Sequence, residues 1–523
     1  MSAVIDQAPT VSEPLRTGRR PAAAVLALAR FEARELLRQP TVLVVFLLYA
    51  GYTYWQLLFP ENGMDRYPVL HYADRATQPG TLALALVVLL AANITAQRSR
   101  RQGTDQHFDI LVMEPWRRTL AHALSVVPLA ALTALIVAVE FAWTALKPGA
   151  VGHGSVAELA VGPLVTLAAG IVGVLAARVI PSVLGGAVVV ALGGIASLAA
   201  SLFTGPDPEH SQWLDWLNPV VSENGLDPIP SALLGRPAGW HVLYLAGLTA
   251  LLLCVTLLLS GGRTRLVKAG TAVALAATVG GVAGQSPSHD AALTAARTKA
   301  SHAPVTAQSC VTHHRSTYCS FPEWTAWRDD WAQVVDRVQG LTGGGARGAR
   351  LTIRQRIPVV YNLTDDSAIM PLRTPGEITA GTRWGGTRVP EFAVGVASVL
   401  VAGDEEAASK MCDARVVTVM WLALAAQDDP MTALRDVRID NSVTGSAGAL
   451  SITDPVLMST EQTRIVRDLL KRPRYSVTAR MKTHWAELTS PKTSLTQVAE
   501  LLGVPAGKAA AEEKGAAGEE GSC

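Results

Sequence analysis

The stretch "SCVTHHRSTYC", residues 309–319, gathers the residue types in this chain best suited to chemistry. Cys310 and Cys319 have eight residues between them, and His313 and His314 lie in that interval. Two readings compete, with free thiols as the remaining alternative. In an oxidising compartment the cysteines close a small disulfide loop. In the other reading Cys310, His313, His314 and Cys319 form a metal-ligand set. Adjacent histidines rarely converge on one ion, however, and the spacing matches no standard zinc finger or knuckle. The disulfide is preferred and no metal site is expected. The compartment that holds this stretch therefore decides its chemistry, and the elements before it decide the compartment.

Elsewhere reactive constellations are scarce. No G-x-x-x-x-G-K-[ST] loop occurs, so any phosphate-cradling site must come from another chain. "GGRTRLVKAGT", residues 261–271, has glycines and a lysine at the wrong spacing. H-E-x-x-H and G-x-S-x-G are absent, and no catalytic residue is expected. The acids Asp365, Asp366, Asp404, Glu405, Glu406, Asp428 and Asp429 read as solvated loops and helix starts. Trp324, Trp327 and Trp331 fall at i, i+3 and i+7 and read as one apolar helix face over Glu323–Val338. Cys412 reads as a buried, inert thiol in an apolar helix. Glu140 lies inside an apolar stretch, where an acid either marks a functional pathway or snorkels to the interface.

The elements that place these residues are dominated by apolar runs. Hydrophobic residues make up 49% of the 523 and charged residues 17%, and a net charge of +2 gives no argument for a nucleic-acid partner. A membrane-crossing helix needs roughly 20 apolar residues. Seven stretches qualify: Thr41–Phe59, Thr81–Thr95, Leu120–Leu146, Leu159–Ala177, Val183–Phe203, Trp240–Ser260 and, weakest, Ala269–Gly284. The expected fold is mainly α: a polytopic helical membrane domain, then a small, mostly helical soluble domain with some strand. Helices are expected over Pro390–Val401, Glu405–Ala426, Thr460–Lys471 and Thr493–Leu502, and "RLTIRQRIPVVY" alternates as a strand.

Lys and Arg orient the spans. One set of connections carries Arg16, Arg19, Arg20, Arg30, Arg34, Arg38, Arg98, Arg100, Arg101, Arg117, Arg118, Arg178, Arg263, Arg265 and Lys268. The alternate set carries only Arg66, Arg75, Lys147 and Arg236. The positive-inside rule places the first set in the cytoplasm, so the chain is expected to be a multi-pass cell-membrane protein with a cytoplasmic N-terminus. Seven spans then put everything after Gly284 outside, which favours the disulfide. Residues 1–20 read as a cytoplasmic tail without an apolar leader core, 21–39 as an interfacial helix, 40–284 as the transmembrane domain, 285–308 as a polar linker, 309–505 as the extracytoplasmic domain and 506–523 as a low-complexity tail. An Ala-, Arg- and Gly-rich composition with few lysines points to a GC-rich bacterial source.

Three stretches carry a resemblance. "LARFEARELLRQP" carries the basic stripe Arg30, Arg34 and Arg38, with Ala29, Ala33, Leu36/Leu37 and the preceding Leu26 on another face of the helix, and Pro40 turns the chain into the first span. The charged loop between the second and third spans ends "EPWRRTLAHAL", and "WLNPVV" precedes the sixth. In order and spacing they resemble the permease subunit of ABC transporters of the type-two exporter superfamily, over about residues 20–260. The resemblance implies that Phe31, Glu32, Arg34 and Glu35 belong to an elbow helix on the inner surface. It implies that Arg100, Arg101, Asp105, Phe108, Asp109, Glu114 and Arg117 form a coupling surface against a cytoplasmic ATPase subunit. Trp213, Trp216, Asn218 and Pro219 would fall in a re-entrant region near the outer gate. It further implies a homodimer or heterodimer of permeases in the bilayer, with ATP and Mg held by the partner ATPase and no cofactor on this chain. The seventh span and the C-terminal residues depart from a six-span permease. They leave an alternative, a membrane-anchored extracytoplasmic binding, enzymatic or sensor domain.

Overall fold

In the computed structural model the described residues are 21–59, 63–103, 113–180, 182, 184–193, 217–220, 227–285, 290–358 and 369–505. Among them six helical stretches are long and apolar enough to cross a membrane, the organisation of a multi-pass membrane protein. They are α2 (Pro40–Leu58), the pair α3 (Leu70–Ala76) and α4 (Gln78–Ala96), the pair α5 (Pro115–Leu124) and α6 (Val127–Ala145), α7 (Val156–Val179), α8 (Ala238–Leu259) and α9 (Arg265–Gly284). The weakest expected span is α9. The span expected over Val183–Phe203 is described only in part, and residues 185–193 of it are helical. Before the bundle runs α1 (Pro21–Leu37). Gln39 is extended and Pro40 takes the first position of α2, so the chain bends where proline forbids the helix to continue.

The spans alternate in direction, which gathers the basic connections at one end. There Gln39 Nε2 donates to Thr95 Oγ1 (2.9 Å), Arg100 Nη1 to the Ala177 carbonyl (3.2 Å) and Thr119 Oγ1 to Ser260 Oγ (2.9 Å). Residues 63–69, 147–155 and 227–237 meet at the opposite end. Close packing replaces a hydrophobic drive in lipid, and glycine permits it. A Cβ on Gly173 of α7 would lie 2.2 Å from the Leu89 carbonyl of α4, and one on Gly281 of α9 would lie 2.5 Å from the Tyr244 backbone nitrogen of α8.

Residues 309–505 are α/β with helices dominating. A four-stranded sheet runs β1 (Ser309–His313), β2 (Ser316–Ser320), β3 (Thr352–Gln355), β4 (Glu377–Ala380). The first pair is an antiparallel hairpin and the others are parallel. Cys310 faces Cys319 in the hairpin register and the two form a disulfide. A two-stranded sheet follows, β5 (Ala447–Ala449) with β6 (Val456–Met458). The core packs α11 (Arg328–Leu341), α12 (Arg388–Ala402) and α13 (Arg415–Ala425) around Trp331, Phe392 and Trp421, all buried. The expected helices Pro390–Val401, Thr460–Lys471 and Thr493–Leu502 appear as Arg388–Ala402, Thr460–Leu470 and Leu495–Leu502.

Several expectations are corrected. The stretch 285–308, read as a linker, contains a helix, α10 (Asp290–His302). The helix expected over Glu405–Ala426 breaks after Ser409, and Asp413 accepts from the Arg415 amide (2.9 Å) to start α13. Cys412 falls in that break, exposed and disulfide-bonded rather than buried and inert. Glu405 is buried and accepts from the Thr379 amide (2.6 Å) and the Leu372 amide (2.9 Å), so it is no solvated acid. Asp404 and Asp429 do cap helices, as expected. Asp365 and Asp366 lie outside the described residues.

The α8–α9 contact supplies a test with an internal control. Gly281→Val drives a branched side chain into the Tyr244 backbone, whereas a Cβ on neighbouring Gly280 meets nothing within 4 Å. Gly281→Val is expected to cost about 1–3 kcal/mol and to lower the unfolding midpoint in detergent, with Gly280→Val near wild type. Equal midpoints for the two variants would contradict the packing.

Candidate functional site

At the basic end, α1 lies against α5 through Val25, Ala29 and Ala121. Arg30, Arg34 and Arg38 form the expected exposed stripe. The buried face differs in one respect: Leu26 is exposed, and Val25, Ala29, Glu32, Ala33 and Leu36 face inward. Of the expected elbow residues Phe31 and Arg34 are exposed, while Glu35 pairs with Arg98 at 3.6 Å and ties α1 to the helical turn that follows α4. Burial raises the Glu32 carboxyl above its ordinary value against the pull of Arg98. Glu32, Arg98, Arg100, Arg118, His122 and Arg178 line a cavity of about 530 Å³ between α1, α5 and the basic-end termini of α4 and α7.

The expected coupling surface is only partly described. Arg117 pairs with Glu114 (2.9 Å), Trp116 Nε1 donates to the same carboxylate (2.8 Å), and the Arg117 guanidinium lies 5.3 Å from the Trp116 ring centroid. Together they form a small charged knob at the start of α5. Arg100 is drawn toward α7 and Arg101 stays exposed. Asp105, Phe108 and Asp109 lie outside the described residues, as do Trp213 and Trp216. Asn218 and Pro219 sit in an irregular segment, residues 217–220, inserted beside α8. His241 Nε2 lies 3.3 Å from the Pro219 carbonyl, Tyr244 Oη donates to the Leu217 carbonyl (3.4 Å), and Val220 packs on a cluster of Ala85, Val161, Val165 and Leu245. Glu140 lies beside Tyr49 of α2, and its Oε2 has no partner among the described residues.

The opposite end holds what sequence reasoning missed. Glu158, in the first turn of α7, accepts from Arg75 Nε (3.0 Å), Gln78 Nε2 (2.7 Å) and Arg236 Nη2 (2.5 Å), all four residues being buried. Asp74 beside it accepts from the Ser155 amide (2.7 Å). This cluster joins α3, α4, α7 and the 227–237 connection. A signal was present: Arg75 and Arg236 are two of the four cations on the sparsely basic connections.

Directly on this cluster sits the C-terminal domain. Trp324 meets His71 edge-on at 5.5 Å, Trp327 meets Tyr67 at 6.2 Å, and Trp327 Nε1 donates to the Gly149 carbonyl (2.9 Å). Glu323 accepts from the Ser231 amide (2.9 Å) and Ser231 Oγ (2.7 Å), and Asp227 pairs with Arg383 (2.9 Å). Burial pushes the Glu323 carboxyl up, but the Ser231 hydrogen bonds outweigh it and hold the group below its ordinary value. The tryptophan stripe is thus a docking face, and only Trp331 turns fully into the domain. A cavity of about 650 Å³ opens at this junction between Gly152, Leu233, Ala296, Lys299, Phe321 and Glu323. It is mainly apolar, with one cation and one anion, which suits a small amphiphile.

Glu158→Gln keeps the shape of the cluster and removes the charge facing both arginines. Breaking a buried pair costs about 3–5 kcal/mol, so a clear fall in the unfolding midpoint is expected. An unchanged midpoint would show that the cluster carries no structural load.

Comparison with protein-family models, with curated proteins and with solved structures returns no match to this chain.

Proposed function

We propose that the chain is the membrane-spanning permease subunit of an ATP-driven exporter of the ABC class. A separate cytoplasmic ATPase subunit binds ATP and Mg, and two permeases, identical or related, assemble in the bilayer of the cell membrane. The N-terminus is cytoplasmic and the C-terminal domain extracytoplasmic. The observation that carries this reading is the basic end. An amphipathic helix packed on α5, the Glu35–Arg98 pair and the Glu114–Trp116–Arg117 knob all lie at that end, in the segments expected to meet the ATPase. A force applied there moves the inner ends of α4, α5 and α7 together. The chain then supplies no hydrolytic residue. It converts closure of the ATPase dimer into rearrangement of the spans, which requires only that the two states bind cargo differently.

The apolar junction cavity favours a second reading, in which the outer domain binds an amphiphile and the spans anchor it. The two separate on what co-purifies from mild detergent. The permease reading expects a stoichiometric Walker-type ATPase whose hydrolysis is stimulated by the chain. It expects Arg117→Glu to abolish that stimulation while insertion persists. A clean chain without a nucleotide-binding partner, or unaltered stimulation in Arg117→Glu, would overturn it.

A further inference from the structure

We propose that His313, His314 and Asp336 bind a divalent transition metal of the zinc or copper class on the exposed surface of the C-terminal domain. Successive strand residues point to opposite faces, so two adjacent histidines ordinarily cannot serve one ion. The hairpin defeats that rule. His313 is the last residue of β1, paired with Ser316, and His314 opens the two-residue turn. His314 adopts φ 54°, the left-handed conformation that glycine or asparagine ordinarily supplies at such a position. The alternation is broken there, and the two imidazoles come to 4.4 Å between centroids at 69°.

The third ligand comes from elsewhere in the chain. Asp336 on α11 places Oδ2 3.0 Å from His314 Nδ1. One donor atom from each of the three residues lies within 4.8 Å of the other two. Around an ion with bonds of about 2.0–2.1 Å the ligand atoms stand roughly 3.3 Å apart, so small rotations of exposed side chains close the site. The supporting backbone is fixed. The Cys310–Cys319 disulfide braces the hairpin, β2 is paired on both sides, and α11 is anchored by buried Trp331, Val334, Val335 and Val338. Little ordering is left for the metal to impose.

The donor set selects the ion. Two imidazoles and one carboxylate suit zinc, copper or nickel rather than calcium or magnesium. With both cysteines held in the disulfide, thiolate ligation is excluded. Three protein ligands, all exposed, leave a coordination position open to water or to a ligand group from a partner. The site stands apart from the permease reading and does not depend on it.

The test is calorimetric titration of the full chain in detergent, stripped with chelator and carrying no histidine tag, using Zn²⁺ with Mg²⁺ as the control. One saturable Zn²⁺ per chain is expected. His313→Ala, His314→Asn and Asp336→Asn are each expected to weaken it at least about tenfold. All three positions are exposed, and asparagine tolerates the left-handed backbone, so metal-free melting should be unchanged. No saturable Zn²⁺ binding, or affinity unweakened in any one variant, would overturn the proposal.

Discussion

One buried carboxylate holds the far end of the bundle together. Glu158 faces two arginines that come from distant parts of the chain, Arg75 in α3 and Arg236 just before α8. Desolvating three charges is expensive unless every partner is in place, so the cluster forms only when α3, α7 and the 227–237 connection have all reached their native positions. It therefore ties these three elements to one another in the folded chain. An apolar replacement could match its stability but would not fix the register of three elements at once.

The consequence lies immediately beyond it. Val69, Val151 and Ile229 belong to the same buried core as Trp324, Trp331 and Trp421. The C-terminal domain is seated on the bundle through a shared core rather than suspended from a tether. A movement of the spans at this end must carry the domain with it or open the junction cavity. In a permease this gives the outer domain a direct sense of the transport state, with no contiguous signal path required.

Much of this was legible in the sequence because it depends on local pattern. Charge-free runs of bilayer length located the six spans found among the described residues, Pro40 located the bend, and the Cys310–Cys319 spacing located the disulfide. What escaped depends on tertiary approach. Arg75, Glu158 and Arg236 are far apart in the chain, and each alone looks like an ordinary flanking charge. The Trp324, Trp327 and Trp331 stripe was legible as an apolar face, but not that two of its members face the bundle. Glu405 reads as a helix-start acid, and only the fold shows the Leu372 and Thr379 amides converging on it. Asp336 joins His313 and His314 only because α11 packs behind the hairpin.

The central claim is that the basic end and the C-terminal domain lie on opposite sides of one membrane, the first facing a cytoplasmic motor and the second facing outward. Tyr475 and Arg263 are exposed markers of the two ends. Labelling Tyr475→Cys and Arg263→Cys in intact cells with a membrane-impermeant maleimide tests this directly. The account predicts that Tyr475→Cys reacts in intact cells and that Arg263→Cys reacts only after the membrane is opened. The reverse pattern, or protection of both until opening, would contradict it.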